Sequence, residues 1–217
     1  MTSRLKDPVS GLTHLLGALL AVAGSGWLIR LALTGGKTWH VISFTVFGGS
    51  LVLLYTASTL YHLLRLSEPA TKTLRRIDHM MIYLLIAGTY TPITLIALRG
   101  AWGWSLFGVI WGLAVAGIVL TLFWMDAPRW LSTLFYVFMG WLVVVAFLPL
   151  ARALPPGGVG WLVIGGLLYS VGAIVYGSKR PNPVPKVFGF HEIFHLFVLA
   201  GSASHFWMMN RYILSLP

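Results

Sequence analysis

Seven apolar runs, each long enough to cross a bilayer, follow one another along the 217-residue chain with only short polar breaks between them. A spanning helix needs roughly 20 apolar residues. The runs do not alternate between apolar and polar residues, so strands are not expected and the chain should be all-α. Its fold is therefore predicted as one domain over residues 1–217, a polytopic seven-helix transmembrane bundle. The predicted helices cover about 10–33, 40–64, 77–98, 102–124, 129–150, 158–178 and 188–213.

Composition supports a membrane protein and excludes several other classes. Only 9% of the residues are charged and 58% are hydrophobic, whereas a soluble domain carries about 25% charged residues. The net charge of +10 comes from basic residues in short interhelical loops, which set topology, so no nucleic-acid partner is expected. Cysteine is absent, which excludes disulfides and thiolate metal ligands. In the fourth run, Gly108 and Gly112 are small residues four apart, which predicts close helix packing there.

The distribution of lysine and arginine predicts the orientation. Seven spans place the two termini on opposite sides, and ten of the 15 basic residues fall on the N-terminal side. Because cytoplasmic loops carry the excess of Lys and Arg, the N-terminus is predicted to be cytoplasmic. The ten are Arg4, Lys6, Arg65, Lys72, Arg75, Arg76, Arg129, Lys179, Arg180 and Lys186.

Ionisable side chains inside the predicted helices are candidates for function, because they are costly in a bilayer. His191 and His195 are four residues apart, so both rings lie on one helix face and can share a metal ion. Zinc at a catalytic site takes three protein ligands. His62, near the cytoplasmic end of helix 2, lies at the right depth for the third. Asp78, at the start of helix 3, could be a direct ligand or accept a hydrogen bond from a metal-bound water.

The other histidines are given separate expectations. His205 lies about 21 Å beyond His191 along the helix, too far for the same ion, and should bond to another helix. For His14, at the cytoplasmic end of helix 1, two alternatives stay open: it contacts and supports the metal ligands, or it has no part in the metal site. His79 points about 100° away from Asp78 and should be a packing residue, and His40 should be solvated in an outer loop.

The run from His191 to His195 reads His-Glu-Ile-Phe-His, which matches the H-E-x-x-H motif of zinc proteases. In those enzymes the glutamate, here Glu192, is the general base. They also need a third ligand from a distant helix, and Asp126 in its Asp-Ala-Pro turn does not match the expected motif. An intramembrane metalloprotease is therefore an alternative hypothesis.

Four segments together resemble the bacterial hemolysin III proteins, within the wider progestin and adipoQ receptor superfamily. Their order and spacing carry the resemblance, which extends from near residue 7 to near residue 208. The segments are Asp-Pro-Val-Ser-Gly-Leu-Thr-His-Leu-Leu-Gly from Asp7, Ser-Thr-Leu-Tyr-His from Ser58, Asp-His-Met-Met-Ile-Tyr-Leu-Leu-Ile-Ala-Gly-Thr-Tyr-Thr-Pro from Asp78, and His-Glu-Ile-Phe-His from His191, continuing to Gly-Ser-Ala-Ser-His-Phe from Gly201.

The resemblance implies a multi-pass protein of the bacterial inner membrane with a cytoplasmic N-terminus. It also implies Zn²⁺ held by three histidines and a water, with an aspartate contacting the water. By position these residues are His62, His191 and His195 as metal ligands and Asp78 on the water. Ser58, one turn before His62, would lie near the zinc or its water.

The related alkaline ceramidases share this set of Ser, His, Asp, His and His, and they hydrolyse lipid amides. The leading hypothesis is therefore an enzyme, a zinc-dependent hydrolase of an amide bond in a membrane lipid. In it, Asp78 would be the general base and Ser58 would support the oxyanion or the water. A receptor with structural zinc and a cytolytic pore-former are alternatives. Two departures are Asp7, where the family often has Glu, and Glu192, often Gln in the eukaryotic receptors, which argues against a protease.

Overall fold

The computed structural model describes residues 5–185 and 187–217, which are helical almost throughout. Arg4 and Lys186, both counted in the orientation argument, lie outside these residues. Two π-helical turns, Ile93–Ala97 and Met209–Ile213, and one 3₁₀ turn, Leu142–Ala146, continue or join the longer helices. The α-helices of the described chain are α1 Pro8–Thr34, α2 Thr38–Leu63, α3 Glu68–Pro92, α4 Ala101–Phe123, α5 Arg129–Trp141, α6 Phe147–Ala153, α7 Pro156–Ser178 and α8 Phe190–Met208.

Six helical segments within the described residues are long and apolar enough to cross a membrane. The fifth is composite, because α5, the 3₁₀ turn and α6 together form the span Arg129–Ala153. The predicted polytopic all-α membrane bundle is thereby confirmed. The seventh predicted span corresponds to α8 and its π-helical turn, which is not among the six. Its first turns carry the polar side chains of His191, Glu192 and His195.

Helix α3 begins at Glu68, nine residues before the predicted start at residue 77. Pro69 stands in its first turn, where a missing N–H costs nothing. Lys72 pairs with Glu68 at 2.7 Å across one helical turn. The apolar pattern marked only the part of this helix that the bilayer requires, and the polar first turns extend beyond it.

The break between α5 and α6 has an identifiable cause. Pro149 in α6 has no N–H to donate to the preceding turn, which disrupts the helical hydrogen-bond ladder. The buried hydroxyl of Tyr90, from α3, is placed at this break. It accepts the N–H of Val143 at 2.8 Å and lies 2.9 Å and 2.8 Å from the carbonyl oxygens of Met139 and Gly140. Backbone groups freed inside a bilayer need such partners.

Successive spans run in alternating directions, with α5 and α6 counted as one span, and α8 returns to pack against α1, so that the helices form a closed ring. Contacts at the two ends show the alternation. At one end the pairs are Asp7 with His62 and Arg129 with Phe190, and at the other they are His40 with Ile213 and Lys37 with Leu216. The end of α2 and the starts of α3, α5 and α8 therefore share one end of the bundle. That the chain is one domain, with this end in the cytoplasm, stays a prediction.

The close packing predicted at Gly108 and Gly112 is wrong. A Cβ atom built on either glycine meets nothing within 4 Å. On the same helix, Gly117 lies directly against the ring of Tyr83, which is fully buried. Spacing alone identified two small residues on one face of α4 but did not indicate which face meets another helix.

Candidate metal centre

Three histidines meet where α2 ends and α8 begins. His62 and His191 face each other with 3.2 Å between their Nε2 atoms, and the ring of His195 lies 5.0 Å and 4.6 Å from theirs, centroid to centroid. Each can offer one nitrogen so that the three ligand atoms lie within 4.8 Å of one another. His62 and His195 are buried and His191 is half-buried. The group could therefore hold a metal ion.

The separation of one pair of ligand nitrogens agrees with a tetrahedral metal ion. Two imidazole nitrogens bound to one zinc at 2.0–2.1 Å are about 3.3 Å apart in tetrahedral geometry. The observed separation of 3.2 Å between His62 and His191 is close to that length. Imidazole ligands suit zinc, copper, iron and nickel rather than magnesium or calcium. The three imidazole donors therefore favour this class of metal ion.

Two further contacts fix the orientation of the ligand rings. His62 donates its Nδ1–H to Asp7 Oδ2 at 3.2 Å, and His195 donates its Nδ1–H to the carbonyl oxygen of Ser10 at 3.2 Å. Both partners can only accept, so both rings carry their proton on Nδ1. Their Nε2 lone pairs are thereby left for the metal. This is the usual arrangement around metal-binding histidines.

The segment before α1 is fastened to the end of α2. Asp7 donates its backbone N–H to the carbonyl oxygen of His62 at 2.8 Å, and Lys6 donates from Nζ to the carbonyl oxygen of Tyr61 at 3.2 Å. The Lys6 ammonium also lies 3.7 Å from the centre of the Tyr61 ring. These bonds satisfy carbonyl groups that the last turn of a helix leaves free. They also place the Asp7 carboxylate beside His62.

Glu192 has a structural role in this arrangement. Its Oε1 accepts the hydroxyl hydrogen of Ser10 at 2.7 Å, and its Oε2 accepts the N–H of Gly189 at 2.8 Å. The second bond caps the start of α8. Both carboxylate oxygens are thus engaged away from the histidines, which does not favour the protease role of the H-E-x-x-H motif.

A cavity of about 470 Å³ lies inside the bundle next to the histidines. Its wall is mainly apolar along α3, α5 and α7, and His191 and His195 lie at its polar end. Ser58 and Asp78 line the same cavity. Ser58 is buried, and Asp78 is 14% exposed. The two residues predicted as catalytic are therefore brought to the same cavity as two of the predicted ligands, and their catalytic roles stay predictions.

The neighbours of Asp78 differ in one respect from expectation. Its Oδ2 lies 3.3 Å from Nδ1 of His79, although the helical angle suggested that His79 points elsewhere. The same Nδ1 is 2.8 Å from the carbonyl oxygen of Arg75. His79 is therefore a direct neighbour of the predicted base.

The remaining histidines separate clearly. His14 stacks on His195 with 3.6 Å between ring centroids and 7° between ring planes, so it supports a ligand ring through contact. His205 lies 3.2 Å from the carbonyl oxygen of Leu162 on α7, as expected. The expectation for His40 was wrong, because it is 2% exposed and lies 3.1 Å from the carbonyl oxygen of Ile213.

Sequence reasoning missed Asp7 and Ser10 as partners of the ligands. Asp7 is the residue just before α1 and Ser10 lies in its first turn, so both are far along the chain from either ligand helix. The available signal was an acidic residue just before the first apolar run, and it was noted only as a departure from Glu in the resemblance.

Comparison with known proteins gives consistent results over almost the whole chain. The family described as "Haemolysin-III related" matches residues 2–206. The "Hemolysin-3 homolog" of Bacillus subtilis (strain 168) is 42% identical over 213 residues, covering 98% of this chain and 96% of that protein. "Hemolysin-3" of Bacillus cereus is 44% identical over 217 residues, covering 99% and 95%. The human "Monocyte to macrophage differentiation factor" is 25% identical over 209 residues, covering 94% and 83%.

Proposed function

The chain belongs to the haemolysin-III related family of multi-pass proteins of the bacterial cell membrane, and on that premise we propose that it is a zinc-dependent hydrolase of a lipid amide bond. One observation carries the proposal. A three-histidine group that could hold a metal ion adjoins an apolar cavity also lined by a carboxylate, Asp78, and a hydroxyl, Ser58. That combination suits hydrolysis of a substrate with an apolar body and a polar reacting bond.

Each residue has a defined task in this proposal. His62, His191 and His195 would hold the zinc, which when bound would acidify water and polarise a carbonyl group. Asp78 accepts the proton of the attacking water while the oxygen of that water bonds to the amide carbon. Ser58 donates a hydrogen bond to the carbonyl oxygen as negative charge develops there. The carbon–nitrogen bond then breaks, and the amine leaves with the proton from Asp78.

The test is a turnover assay on purified protein with ceramide-like lipids, measuring the fatty acid released. We expect activity that a chelator removes and added zinc restores. Asp78→Asn should lower the rate by at least about 100-fold, the low end for loss of a general base. Asp126→Asn, which changes an exposed carboxylate outside the cavity lining, is the matched control. Protein with full zinc occupancy that hydrolyses no lipid amide would reject the proposal.

A second candidate is a receptor or sensor in which zinc only holds the bundle together. It is favoured by the origin of the ligands, since the metal would join α2 to α8 at the far end of the sequence. In that case His62→Ala would lower the unfolding temperature while no activity existed to lose. Comparing unfolding temperature and turnover in the same variant separates the two candidates.

The name "Hemolysin-3" of the Bacillus cereus relative suggests membrane lysis as a third candidate. Single-channel recording of the purified protein in a defined bilayer tests it directly. Stepwise conductance would favour a pore-former, whereas an intact bilayer together with amide turnover would favour the hydrolase.

A further inference from the structure

One side of the cavity carries polar atoms that the metal centre does not use. Arg129 and Thr133 are four residues apart on α5, so they share one helix face, and both line the cavity. Arg129 Nη1 and Thr133 Oγ1 are buried and have no hydrogen-bond partner among the described residues. A buried donor left without a partner costs free energy, more so when it is charged. These atoms therefore suit a ligand that can accept hydrogen bonds.

The Arg129 guanidinium is held in place by aromatic rings. It lies 4.7 Å from the centre of the Tyr176 ring and 5.7 Å from that of Phe190. Arg75, from α3, lines the same cavity together with Asp78. A guanidinium that stacks on rings keeps its edge free for the paired hydrogen bonds that carboxylate and phosphate groups accept.

Neither arginine has a counter-ion within the protein. The chain has five acidic residues, all of them described, and none lies within 4.0 Å of Arg75 or Arg129. Arg129 is also the first residue of α5, where the helix dipole adds positive potential. This end of the cavity therefore has an excess of positive charge that an anion would neutralise. Four of the five carboxylates contact other groups, and the fifth, Asp126, is exposed. The contacts are Asp7 with Lys6 and His62, Glu68 with Lys72, Asp78 with His79, and Glu192 with Ser10 and Gly189.

We propose that Arg75, Arg129 and Thr133 bind an anionic group, carboxylate or phosphate, at the polar end of a lipid. The two arginines supply charge and paired donors, and the Thr133 hydroxyl supplies one more. Resting on the proposed function, this makes the substrate an N-acyl amine whose amine part is acidic, such as an N-acyl amino acid. The metal centre and the anion site line one cavity, so a single lipid presents its amide to one and its acidic group to the other.

Binding is measured separately from hydrolysis, with the full-length protein in nanodiscs of phosphatidylcholine. The probe is tritiated N-oleoylglycine, and N-oleoylethanolamine is its neutral counterpart. Arg75→Gln combined with Arg129→Gln should weaken binding of N-oleoylglycine roughly tenfold or more and leave binding of the neutral lipid within about twofold. Arg129→Lys keeps the charge but loses the paired N–H donors of the guanidinium, and Thr133→Val loses only the hydroxyl. Both should therefore weaken binding of N-oleoylglycine by less than the double variant does. Arg180→Gln, which changes an exposed arginine outside the cavity lining, is the control.

Several outcomes would overturn the lipid-anion site, and one would keep it while rejecting the hydrolase. Equal losses for the acidic and the neutral lipid would show that the arginines support the cavity without recognising an anion. An equal loss in Arg180→Gln would show that they act only as general surface charge. Displacement of N-oleoylglycine by millimolar inorganic phosphate would assign the site to free anions instead of a lipid. Charge-selective binding, in protein with full zinc occupancy that hydrolyses no lipid amide, would reject the hydrolase and keep the site. Turnover of both lipids at equal rates would keep the hydrolase and reject the site.

Discussion

At the scale of single residues, the three histidines of the metal-ligand group are the most direct point of test. Replacing His62, His191 or His195 by alanine should lower bound zinc from about one ion per chain to near zero, because two imidazoles hold zinc far more weakly than three. Elemental analysis of the purified variants measures this. His79→Ala, which removes a histidine outside the group, should keep its metal. Full zinc in any of the three variants would exclude that residue as a ligand.

Asp7 should matter almost as much although it is not a ligand. Its carboxylate accepts the Nδ1–H of His62, and loss of such a partner lowers metal affinity about 10- to 100-fold. We therefore expect Asp7→Ala to give up zinc at correspondingly lower concentrations of a competing chelator. Asp126→Ala is the matched control, since Asp126 is exposed. Equal zinc affinity in the two variants would mean that the contact with Asp7 does not tune the metal.

These residues also show how far sequence could define the site. The four-residue spacing of His191 and His195 has a direct geometric meaning, and the depth of His62 followed from the length of its apolar run. Asp7 had no comparable signal, because its contact with His62 depends on how the segment before α1 folds back on the end of α2. The prediction for His40 was wrong for a similar reason. Its ring, near a helix boundary, contacts the carbonyl oxygen of Ile213, which is far along the chain.

At the scale of helices, apolar length predicted the spans well and their polar extensions poorly. Helix α3 continues to Glu68 because residues outside the bilayer can be helical without being apolar. The break before α6 could be suspected from Pro149. Its repair by the Tyr90 hydroxyl depends on a contact between two helices that sequence does not display.

Two glycines of α4 give a matched test of helix packing. A Cβ atom at Gly117 would fall within the ring of buried Tyr83, whereas at Gly112 it would meet nothing within 4 Å. Gly117→Ala should therefore destabilise the fold by about 1–3 kcal/mol, as overpacking usually does. Gly112→Ala should be neutral or stabilising by up to about 1 kcal/mol, because alanine favours helix. Thermal unfolding in one detergent measures both, and equal shifts would contradict the packing described for α4.

At the scale of the whole molecule, the alternating direction of the spans fixes which helix ends share one end of the bundle. It does not fix which end of the bundle faces the cytoplasm. Leu5 and the metal-ligand group lie at one end, and the C-terminal residues lie at the other, where Lys37 donates to the carbonyl oxygens of Leu214 and Leu216. Two opposite orientations in the bilayer are compatible with that arrangement. The distribution of basic residues is the physical term that distinguishes them.

Of the 13 described lysines and arginines, the sequence assigns eight to the side that carries the metal-ligand group, so that end should remain in the cytoplasm and the C-terminus should lie outside. Alkaline phosphatase fused after Pro217 should then be active, since it folds only when exported, whereas a fluorescent protein fused there should stay dark. The same two reporters fused after Arg180, in the loop before α8, should give the reverse pattern. Fluorescence from the C-terminal fusion would show that the bundle has the opposite orientation in the membrane. The arginines of the proposed anion site would then face the outer leaflet, and their ligand would be sought among lipids on that side.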